Sequence, residues 1–253
     1  MKPLVFALDL DGTVMHSRRG RVTGDLCIER IDGEDRGFML PEMRNALVHA
    51  SKCGIVIPVT SRSVEQFSRI EWGGVRLETA YVANGGIRLC GGDAKKLFLQ
   101  FEDDAARSLH DVACEIENTS YVKRCVIVDG CYVLAYVDRP ERDASQLADG
   151  KLDYFTFFQD RKKAYLFPKG LNKGFAIKQI RERVPDAYII GAGDSINDIA
   201  MLVECDVAIA PKQLLKDEQN ARYEGWIACP EGRSFEEFVA SQLYEVEAQY
   251  AAD

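Results

Sequence analysis

Short apolar segments recur along this chain, separated by stretches with helical periodicity. In the first such stretch, Met43, Ala46, Leu47 and Ala50 repeat at the i, i+3, i+4, i+7 spacing of one helix face. Short segments with few polar positions are typical of strands that are buried on both faces. Strand and helix in alternation predict an α/β protein with a parallel sheet and right-handed crossovers. The predicted strands are 4–8, 55–59, 80–83, 187–191 and 206–210, with 225–229 as a sixth candidate.

Two segments interrupt this alternation. Residues 16–40 are polar and contain a turn signal at Asp32-Gly33, which predicts a small hairpin flap after the first strand. Residues 87–168 hold a helical stretch near 103–117 and two pairs of apolar runs, which predict an inserted α+β domain. The expected organisation is a Rossmann-like core with a cap domain: residues 1–86 and 169–253 for the core, residues 87–168 for the cap.

Composition argues against several classes of function. A net charge of −8 over 253 residues is unfavourable for binding nucleic acid or a membrane surface. No segment reaches the roughly 20 apolar residues of a spanning helix, and the N-terminus lacks a signal peptide's features. The eight cysteines form no CxxC pair and only three histidines accompany them, which favours free buried thiols over a zinc site. The sequence thus predicts a cytoplasmic protein, either a monomer or a homodimer.

Acidic residues collect just after two of the predicted strands. Asp9 and Asp11 follow the first strand in DLDGT, and Asp194 and Asp198 follow a later one in GDSIND. Ligands of an open parallel sheet bind beyond the carboxyl ends of its strands, so these four carboxylates are expected to converge. Carboxylates in one crevice need a cation, and oxygen ligands without His or Cys favour Mg²⁺. The sequence therefore predicts a magnesium site at Asp9, Asp11, Asp194 and Asp198.

Groups suited to phosphate accompany these acids. Thr60 offers a hydroxyl, the backbone at Ser61 and Arg62 offers N–H donors, and Lys173 begins a helix whose N-terminus favours anions. Lys169 is the rival of Lys173, and the position at the helix start favours Lys173. A carboxylate can attack phosphorus and form an aspartyl phosphate. A nucleophile, a metal and a positive cradle together indicate phosphoryl transfer.

The four motifs together resemble those of haloacid dehalogenase (HAD) superfamily phosphatases. DLDGT is similar to the first motif of that superfamily, Thr60 to the second, Lys173 to the third and GDSIND to the fourth, in the same order. ANGG at 83–86 resembles the NGA-type loop that precedes the cap in the Cof-type branch. The resemblance implies a C2-type cap and a Mg²⁺-dependent phosphatase for a small phosphorylated metabolite, in particular a sugar phosphate.

The resemblance also implies roles for individual residues. Asp9 would be the nucleophile, and Asp11 would protonate the leaving oxygen and then activate water. The metal would be held by the Asp9 side chain, the Asp11 carbonyl and Asp194. Thr60 and Lys173 would bind the phosphate.

Five neighbouring positions carry weaker expectations. Asn197 would lie close to the phosphate, and Asp198 would orient either Lys173 or a metal-bound water. Arg62 is either a surface charge or a contact to phosphate or substrate. Asn84 is either a left-handed turn residue beside a glycine or a substrate contact. Ser61 stands where the family more often has glycine.

Two other functions fit the same motifs. A sugar phosphomutase would share the core and the cap, and differs in returning the phosphoryl group to a sugar instead of to water. A non-enzymatic phospho-accepting regulatory module, as in response receivers, also uses an aspartate, Mg²⁺, a threonine and a lysine. Asp11 and the cap argue against the regulatory module, because a receiver needs no general acid two residues after its phosphorylated aspartate.

Overall fold

The structure is a computed structural model that describes residues 2–98, 108–215 and 225–252. Its strands are β1 (Leu4–Leu8), β2 (His16–Ser17), β3 (Leu26–Ile31), β4 (Glu34–Met39), β5 (Ile55–Pro58), β6 (Thr79–Val82), β7 (Ile87–Cys90), β8 (Asp93–Lys96), β9 (Val122–Val128), β10 (Tyr132–Val137), β11 (Phe155–Asp160), β12 (Lys163–Pro168), β13 (Tyr188–Ala192), β14 (Val207–Pro211) and β15 (Trp226–Cys229). Its α-helices are α1 (Pro41–Cys53), α2 (Val64–Ser68), α3 (Leu109–Glu117), α4 (Lys173–Arg183), α5 (Ile199–Leu202) and α6 (Phe235–Ala252).

A parallel sheet of five strands forms the centre of the fold, in the order β15-β14-β13-β1-β5. β1 pairs with β13 on one side and with β5 on the other. The predicted α/β fold is therefore confirmed, and the loops after Leu8 and Ala192 lie side by side at the carboxyl edge of the sheet. Pro58 is the last residue of the end strand β5, a position where its missing N–H costs the sheet little.

The side chains of β1 alternate between two apolar layers. Leu4, Phe6 and Leu8 pack into a cluster with α1 and α6, whereas Val5 and Ala7 pack into one with α4 and α5. Burial on both faces is the reason that this strand has an unbroken apolar sequence. The core thus holds both ends of β1, and the loop that follows its carboxyl end, in place.

The apolar run at 80–83 forms a strand outside the central sheet. β6 pairs antiparallel with β7, and β7 with β8, while a single parallel bridge between Val59 and Tyr81 joins β6 to the end of β5. The sequence assigns β7 and β8 to the inserted segment, yet they extend a strand from the segment before it. The domain boundary at residue 86 stays a prediction.

The polar segment after β1 forms a flap. β2, β4 and β3 make a small antiparallel sheet, and the predicted turn joins β3 to β4. Asp32 has a φ of 53° and Gly33 a φ of 78°, the positive values that a two-residue hairpin turn requires. The predicted hairpin is confirmed, and it brings Glu29 of β3 close to the loops at the carboxyl edge of the sheet.

The predicted insertion contains a second sheet, antiparallel, in the order β11-β12-β10-β9, with α3 against it. The helix predicted near 103–117 is seen as α3, and the part of that prediction before residue 108 lies outside the described residues. The β9–β10 turn is hydrogen-bonded to the core. Tyr132 Oη donates to the Ser61 carbonyl at 2.6 Å, and the Val64 amide donates to Asp129 Oδ2 at 2.8 Å. The insertion therefore lies over the loop that follows β5.

All eight cysteines are free thiols. The prediction that they are buried is wrong for Cys53, Cys90 and Cys114, which are exposed. Across residues 2–98, 108–215 and 225–252, no helix combines the length and the apolar character needed to cross a membrane.

Candidate active site

Asp9 occupies the first position after β1 and is buried. Its amide donates to the Ala192 carbonyl of the neighbouring strand at 2.9 Å, which ties the two loops together. One carboxylate oxygen, Oδ1, accepts from Lys173 Nζ, and the other accepts from Thr13 Oγ1 at 3.4 Å. The carboxylate is therefore held from both sides at the end of an apolar strand.

Lys173 reaches Asp9 from the first turn of α4, and its own side chain is 3% exposed. Asn172 caps this helix by accepting a hydrogen bond from the Phe175 amide at 3.1 Å. Gly174 lets the start of α4 approach α5 closely, because a Cβ at this position would collide with the Ala200 carbonyl. Lys173 is thus a built component of the site, whereas its rival Lys169 is exposed.

Asp198 is a fully buried acceptor that holds Lys173. Its Oδ1 accepts from Lys173 Nζ at 2.5 Å. Its Oδ2 accepts from the amide of Ser195 at 2.9 Å and from the hydroxyl of the same residue at 2.8 Å. Both oxygens are therefore engaged. Of the two roles that the sequence left open for Asp198, this favours orienting Lys173 over orienting a metal-bound water.

The buried acids repel one another more than Lys173 can balance. Burial and the charge of Asp198 raise the pKa of Asp9 well above its ordinary value, against the lowering effect of Lys173. Burial and the same Asp198 charge raise the pKa of Asp194 to about 7. Burial opposes the charge of Lys173, but Asp198 and Asp9 outweigh it and raise the pKa of the ammonium group.

The same group of acids fits a divalent cation. Carboxylate oxygens of Asp9, Asp194 and Asp198 lie within 4.8 Å of one another. Three carboxylates against the single ammonium of Lys173 leave two negative charges when all are ionised. Gly12, with a φ of 90°, brings the DLDGT backbone against Asp194, where a Cβ would collide with the carboxylate. Oxygen donors with this excess charge suit Mg²⁺.

Asp11 departs from the predicted convergence. Arg62 donates from Nε and Nη2 to the two carboxylate oxygens of Asp11, at 2.7 and 2.8 Å. Nη1 of the same guanidinium lies 3.0 Å from Oε2 of Glu29, a buried residue of the flap. The expectation that four carboxylates converge is therefore wrong for the Asp11 side chain, because Arg62 draws it away. The role that the resemblance gives its main-chain carbonyl stays a prediction.

Arg62 also changes the acidity of Asp11. Partial loss of solvent around the exposed Asp11 carboxylate acts to raise its pKa, but the hydrogen bonds and the positive charge of Arg62 outweigh this effect, so the pKa is lowered. Asp9 and Asp11 are two residues apart and have pKa values displaced in opposite directions. These directions are the reverse of those that an ionised nucleophile and a protonated acid need, so binding of a cation beside Asp9 and of substrate beside Arg62 has to change both.

The loop after β5 supplies the hydroxyl predicted for phosphate. Thr60 is buried, and its Oγ1 accepts a hydrogen bond from the Arg62 amide at 3.1 Å. The Arg62 amide therefore donates within the loop itself, whereas the sequence suggested it as a donor to phosphate. Ser61 lies between them, and its carbonyl accepts the hydrogen bond from Tyr132 described above.

Asn197 and Asn84 form a pair next to this loop. Asn197 Nδ2 donates to Asn84 Oδ1 at 3.0 Å, and the Asn84 amide donates to the Thr60 carbonyl at 2.9 Å. Asn84 has a φ of 60°, so its left-handed turn role is confirmed. Its side chain is fully buried, and its Nδ2 finds no acceptor within the part of the chain that the structure describes. A buried donor in this state is expected to serve a bound oxygen atom.

Three contributors escaped the sequence reasoning. Thr13 and Ser195 lie inside the two aspartate motifs, so their positions carried a signal that was not used. Glu29 carried none, because a polar flap strand reveals neither its register nor the arginine it will face.

A tyrosine and a lysine of the cap interact electrostatically with the two motif aspartates. Burial, followed by the charges of several acidic neighbours that include Asp11 and Asp9, raises the pKa of Tyr165 on β12. Lys163, at the start of the same strand, adds a smaller lowering effect on the pKa of Asp11. The cap therefore lies within electrostatic reach of the site, with an aromatic ring and a positive charge.

Solved structures share this fold. A HAD subclass IIB sugar phosphatase matches with a TM-score of 0.66 and 13% identity, over 96% of this chain and 98% of its own. The sucrose-phosphatase of Synechocystis, solved with sucrose and phosphate, matches with a TM-score of 0.62 and 15% identity, over 97% and 99%. A Thermoplasma acidophilum protein matches with a TM-score of 0.67 and 16% identity, over 98% and 99%. No protein-family profile and no curated protein matches the chain.

The chain therefore has the fold of the HAD-superfamily phosphatases, with a Rossmann-like core and a cap. The agreement covers nearly the whole length of each protein, so it includes the inserted segment as well as the core. At these levels of identity the comparison establishes architecture, and the chemistry has to be argued from the residues of this chain.

Proposed function

We propose that this protein is a phosphatase that hydrolyses a small sugar phosphate through a phosphorylated Asp9. The observation that carries the proposal is the buried Asp9 carboxylate, held by Lys173 and Thr13 beside Asp194 at the carboxyl edge of the sheet. Burying an acid among other acids is costly. A bound cation would offset that cost, and the buried carboxylate would accept the phosphoryl group.

The first step transfers the phosphoryl group to the protein. The Asp9 carboxylate attacks phosphorus, the bond to the ester oxygen breaks, and the leaving alkoxide takes a proton from the Asp11 carboxyl group. Lys173 and the Thr60 hydroxyl stabilise the phosphoryl oxygens. The products of this step are an aspartyl phosphate at Asp9, a free sugar alcohol and an ionised Asp11.

The second step returns Asp9 to its starting state. Asp11, now a carboxylate, takes a proton from water as the water oxygen attacks phosphorus. The bond between phosphorus and Asp9 breaks and inorganic phosphate leaves. Asp11 ends the cycle protonated, as it was when the first step began.

Arg62 connects substrate binding to this proton transfer. Its bidentate pair with Asp11 favours the ionised carboxylate in the free protein. A phosphate dianion competes for the same planar guanidinium. When substrate engages Arg62, the hydrogen bonds that lower the pKa of Asp11 weaken, and Asp11 takes up from solvent the proton that it then gives to the leaving group.

The predicted cofactor fits the site. Asp9 and Asp194, with the Asp11 carbonyl, would hold Mg²⁺, and the bound ion would neutralise charge on the phosphoryl group. Asp198 contributes by keeping Lys173 in position.

Two observations support a sugar phosphate as the substrate. Proteins of the same fold act on sugar phosphates: a HAD sugar phosphatase and a sucrose-phosphatase. The insertion also lies over the loop that carries Thr60, through the hydrogen bonds of Tyr132 to Ser61 and of Val64 to Asp129, and so limits the room above the site. A roof of this kind favours a small substrate over a macromolecule.

The test is to incubate purified protein and Mg²⁺ with a hexose 1-phosphate and, separately, a hexose 6-phosphate, each with and without a catalytic amount of hexose bisphosphate. We expect free phosphate from at least one isomer with no dependence on the bisphosphate. Interconversion of the isomers with little free phosphate would establish the mutase. A phosphorylated protein that neither hydrolyses nor passes on its phosphoryl group would indicate the regulatory module.

A further inference from the structure

We propose that a zinc-class transition-metal ion binds between α1 and α6, held by His49, Cys53 and Glu247. These three side chains offer one nitrogen, one sulfur and one oxygen donor, and the three donor atoms lie within 4.8 Å of one another. His49 and Cys53 are four residues apart in the last turns of α1, so they share one face of that helix. Glu247 approaches from α6, 198 residues later in the chain.

The separations match those of ligands around a single tetrahedral ion. His49 Nε2 lies 3.4 Å from Glu247 Oε2 and 3.6 Å from Cys53 Sγ. Zinc–nitrogen and zinc–oxygen bonds of about 2.0 Å and zinc–sulfur bonds of about 2.3 Å place tetrahedral N and O ligands about 3.3 Å apart, and N and S ligands about 3.5 Å apart.

The surroundings suit a bound ion that solvent can reach. The side chains of His49 and Glu247 are 39% and 22% exposed, and Cys53 is exposed, so an ion can enter from solution and water can take the fourth position. The ring of Tyr244 packs against that of His49 at 4.8 Å between centroids, which restricts the imidazole. On binding, the Cys53 thiol releases its proton to solvent and the sulfur bonds to the metal.

The place and the donors separate this site from the magnesium site. Cys53 is two residues before the first residue of β5, whereas Thr60 follows the end of the same strand. The two sites are thus beyond opposite ends of the strands of the sheet, separated by at least the length of β5, about 13 Å for four residues. Sulfur and imidazole donors select zinc-class ions, and carboxylates select Mg²⁺. Composition alone argued against a zinc site. It counts histidines and cysteines but does not show which of them the fold brings together with a glutamate.

The chain provides a matched control in the cap. His110 and Cys114 of α3 are also four residues apart, with Nε2 and Sγ 3.6 Å apart, and Cys114 is exposed. In the described ranges, no carboxylate joins that pair in a group of three potential ligands. If a helical His–Cys pair were sufficient, both places would bind metal. If the third ligand decides, only the site between α1 and α6 will bind one.

The test uses Co²⁺ as a spectroscopic probe of reduced, metal-free, full-length protein, with Mg²⁺ in excess to occupy the carboxylate site. We expect one equivalent of Co²⁺ to produce a sulfur-to-cobalt charge-transfer band with tetrahedral visible bands, and one equivalent of Zn²⁺ to abolish them. Cys53→Ser should lose the charge-transfer band, and Cys114→Ser should keep it. Glu247→Gln, which preserves shape, should weaken apparent Co²⁺ binding by about tenfold or more.

Sulfur makes this readout specific, since cobalt bound by Asp9 and Asp194 produces no thiolate band. The proposal is overturned if no band forms at one equivalent, if the band survives Cys53→Ser, or if it disappears in Cys114→Ser. Circular dichroism of each variant will establish that a lost band reflects a lost ligand in a folded protein. Phosphatase activity with Mg²⁺ should be the same in Cys53→Ser and the parent protein, because the two sites are beyond opposite ends of the strands of the sheet.

Discussion

The two aspartates of DLDGT lie two residues apart and occupy opposite environments. Asp9 is buried, bound to Lys173, and has a raised pKa. Asp11 has a side chain that is 57% exposed, is bound to Arg62, and has a lowered pKa. Alternation along the backbone does not produce this difference. It arises because Lys173 comes from a helix start inside the core, whereas Arg62 is anchored by Glu29 of the flap.

The two environments suit Asp9 and Asp11 to different steps of the reaction. A carboxylate held by Lys173 beside a cation site is suited to attack phosphorus, and a solvent-accessible carboxylate paired with Arg62, which a phosphate can also bind, is suited to transfer protons. We therefore expect the surroundings of Asp9 to be rigid and intolerant of substitution, and those of Asp11 to respond to bound substrate.

The largest effect is expected from Asp9→Asn. Loss of the nucleophile should reduce kcat by about 10⁴-fold or more, because the other groups cannot replace the covalent step. The free energy of unfolding should be unchanged or higher, since a carboxylate disfavoured by burial and by its acidic neighbours is replaced with a neutral amide. Phosphate release and thermal melting check both parts. Asp32→Asn, in the exposed flap turn, is the matched control and should be fully active; normal turnover in Asp9→Asn would refute the assignment.

Lys173→Met should be the most destabilising change at the site. It leaves Asp9 and Asp198 buried without their shared cation, a type of loss that costs about 3–5 kcal/mol. Denaturant unfolding measures the change, and Lys169→Met controls for the removal of a positive charge from the same segment. Equal stability of the two variants would mean that the buried ion pair contributes little.

Asp11→Asn should distinguish leaving groups. Hydrolysis of a sugar phosphate should fall by about 10²–10³-fold, because an alkoxide needs a proton, and hydrolysis of nitrophenyl phosphate should fall far less. The two substrates are assayed side by side with parent and variant protein. An equal loss on both would show that Asp11 acts through geometry or metal binding instead of proton transfer.

The smallest effect concerns Mg²⁺ and pH. The pKa of Asp194 is raised from 3.8 to about 7, so between these values the folded protein binds a proton that the unfolded chain has lost. This contribution to stability is present at low pH and is lost as the pH rises through about 7. Mg²⁺ should therefore raise Tm by a few degrees at about pH 8 and by less at about pH 5, where protons compete for the site.

Melting curves with Mg²⁺ and with EDTA, at matched ionic strength, measure this difference. The same rise in Tm at both values of pH would contradict the account of Asp194. Asp194→Asn is the complementary variant, and it should remove most of the Mg²⁺-dependent rise at the higher pH.

The central sheet was predictable because its signal is local. The apolar run of β1 and the motif after it predict that Asp9 ends a buried strand, and the expected convergence of the two aspartate motifs requires β1 and β13 to be neighbours, as they are. The partner of Asp11 was not predictable in this way. Arg62 was visible as a charge near the site, but its choice of Asp11 depends on Glu29, whose position is set by the register of a flap hairpin.

The same limit applies at the amino edge of the sheet. The i, i+4 spacing of His49 and Cys53 is visible in the sequence, and it looks the same as that of His110 and Cys114. Only the packing of α6 against α1 brings Glu247 to one pair and not to the other. Contacts between distant segments, more than local propensity, are what separate these two places.

The account rests on a phosphoryl group that passes through Asp9, and this can be measured directly. Asp11→Asn protein, in which hydrolysis of the intermediate is slowed, is mixed with Mg²⁺ and nitrophenyl phosphate, quenched in acid and digested for mass spectrometry. We expect the peptide that contains Asp9 to gain the mass of one phosphoryl group, and hydroxylamine to remove it, as for an acyl phosphate. Turnover with no phosphorylated peptide, or a phosphoryl group on any residue other than Asp9, would contradict the account.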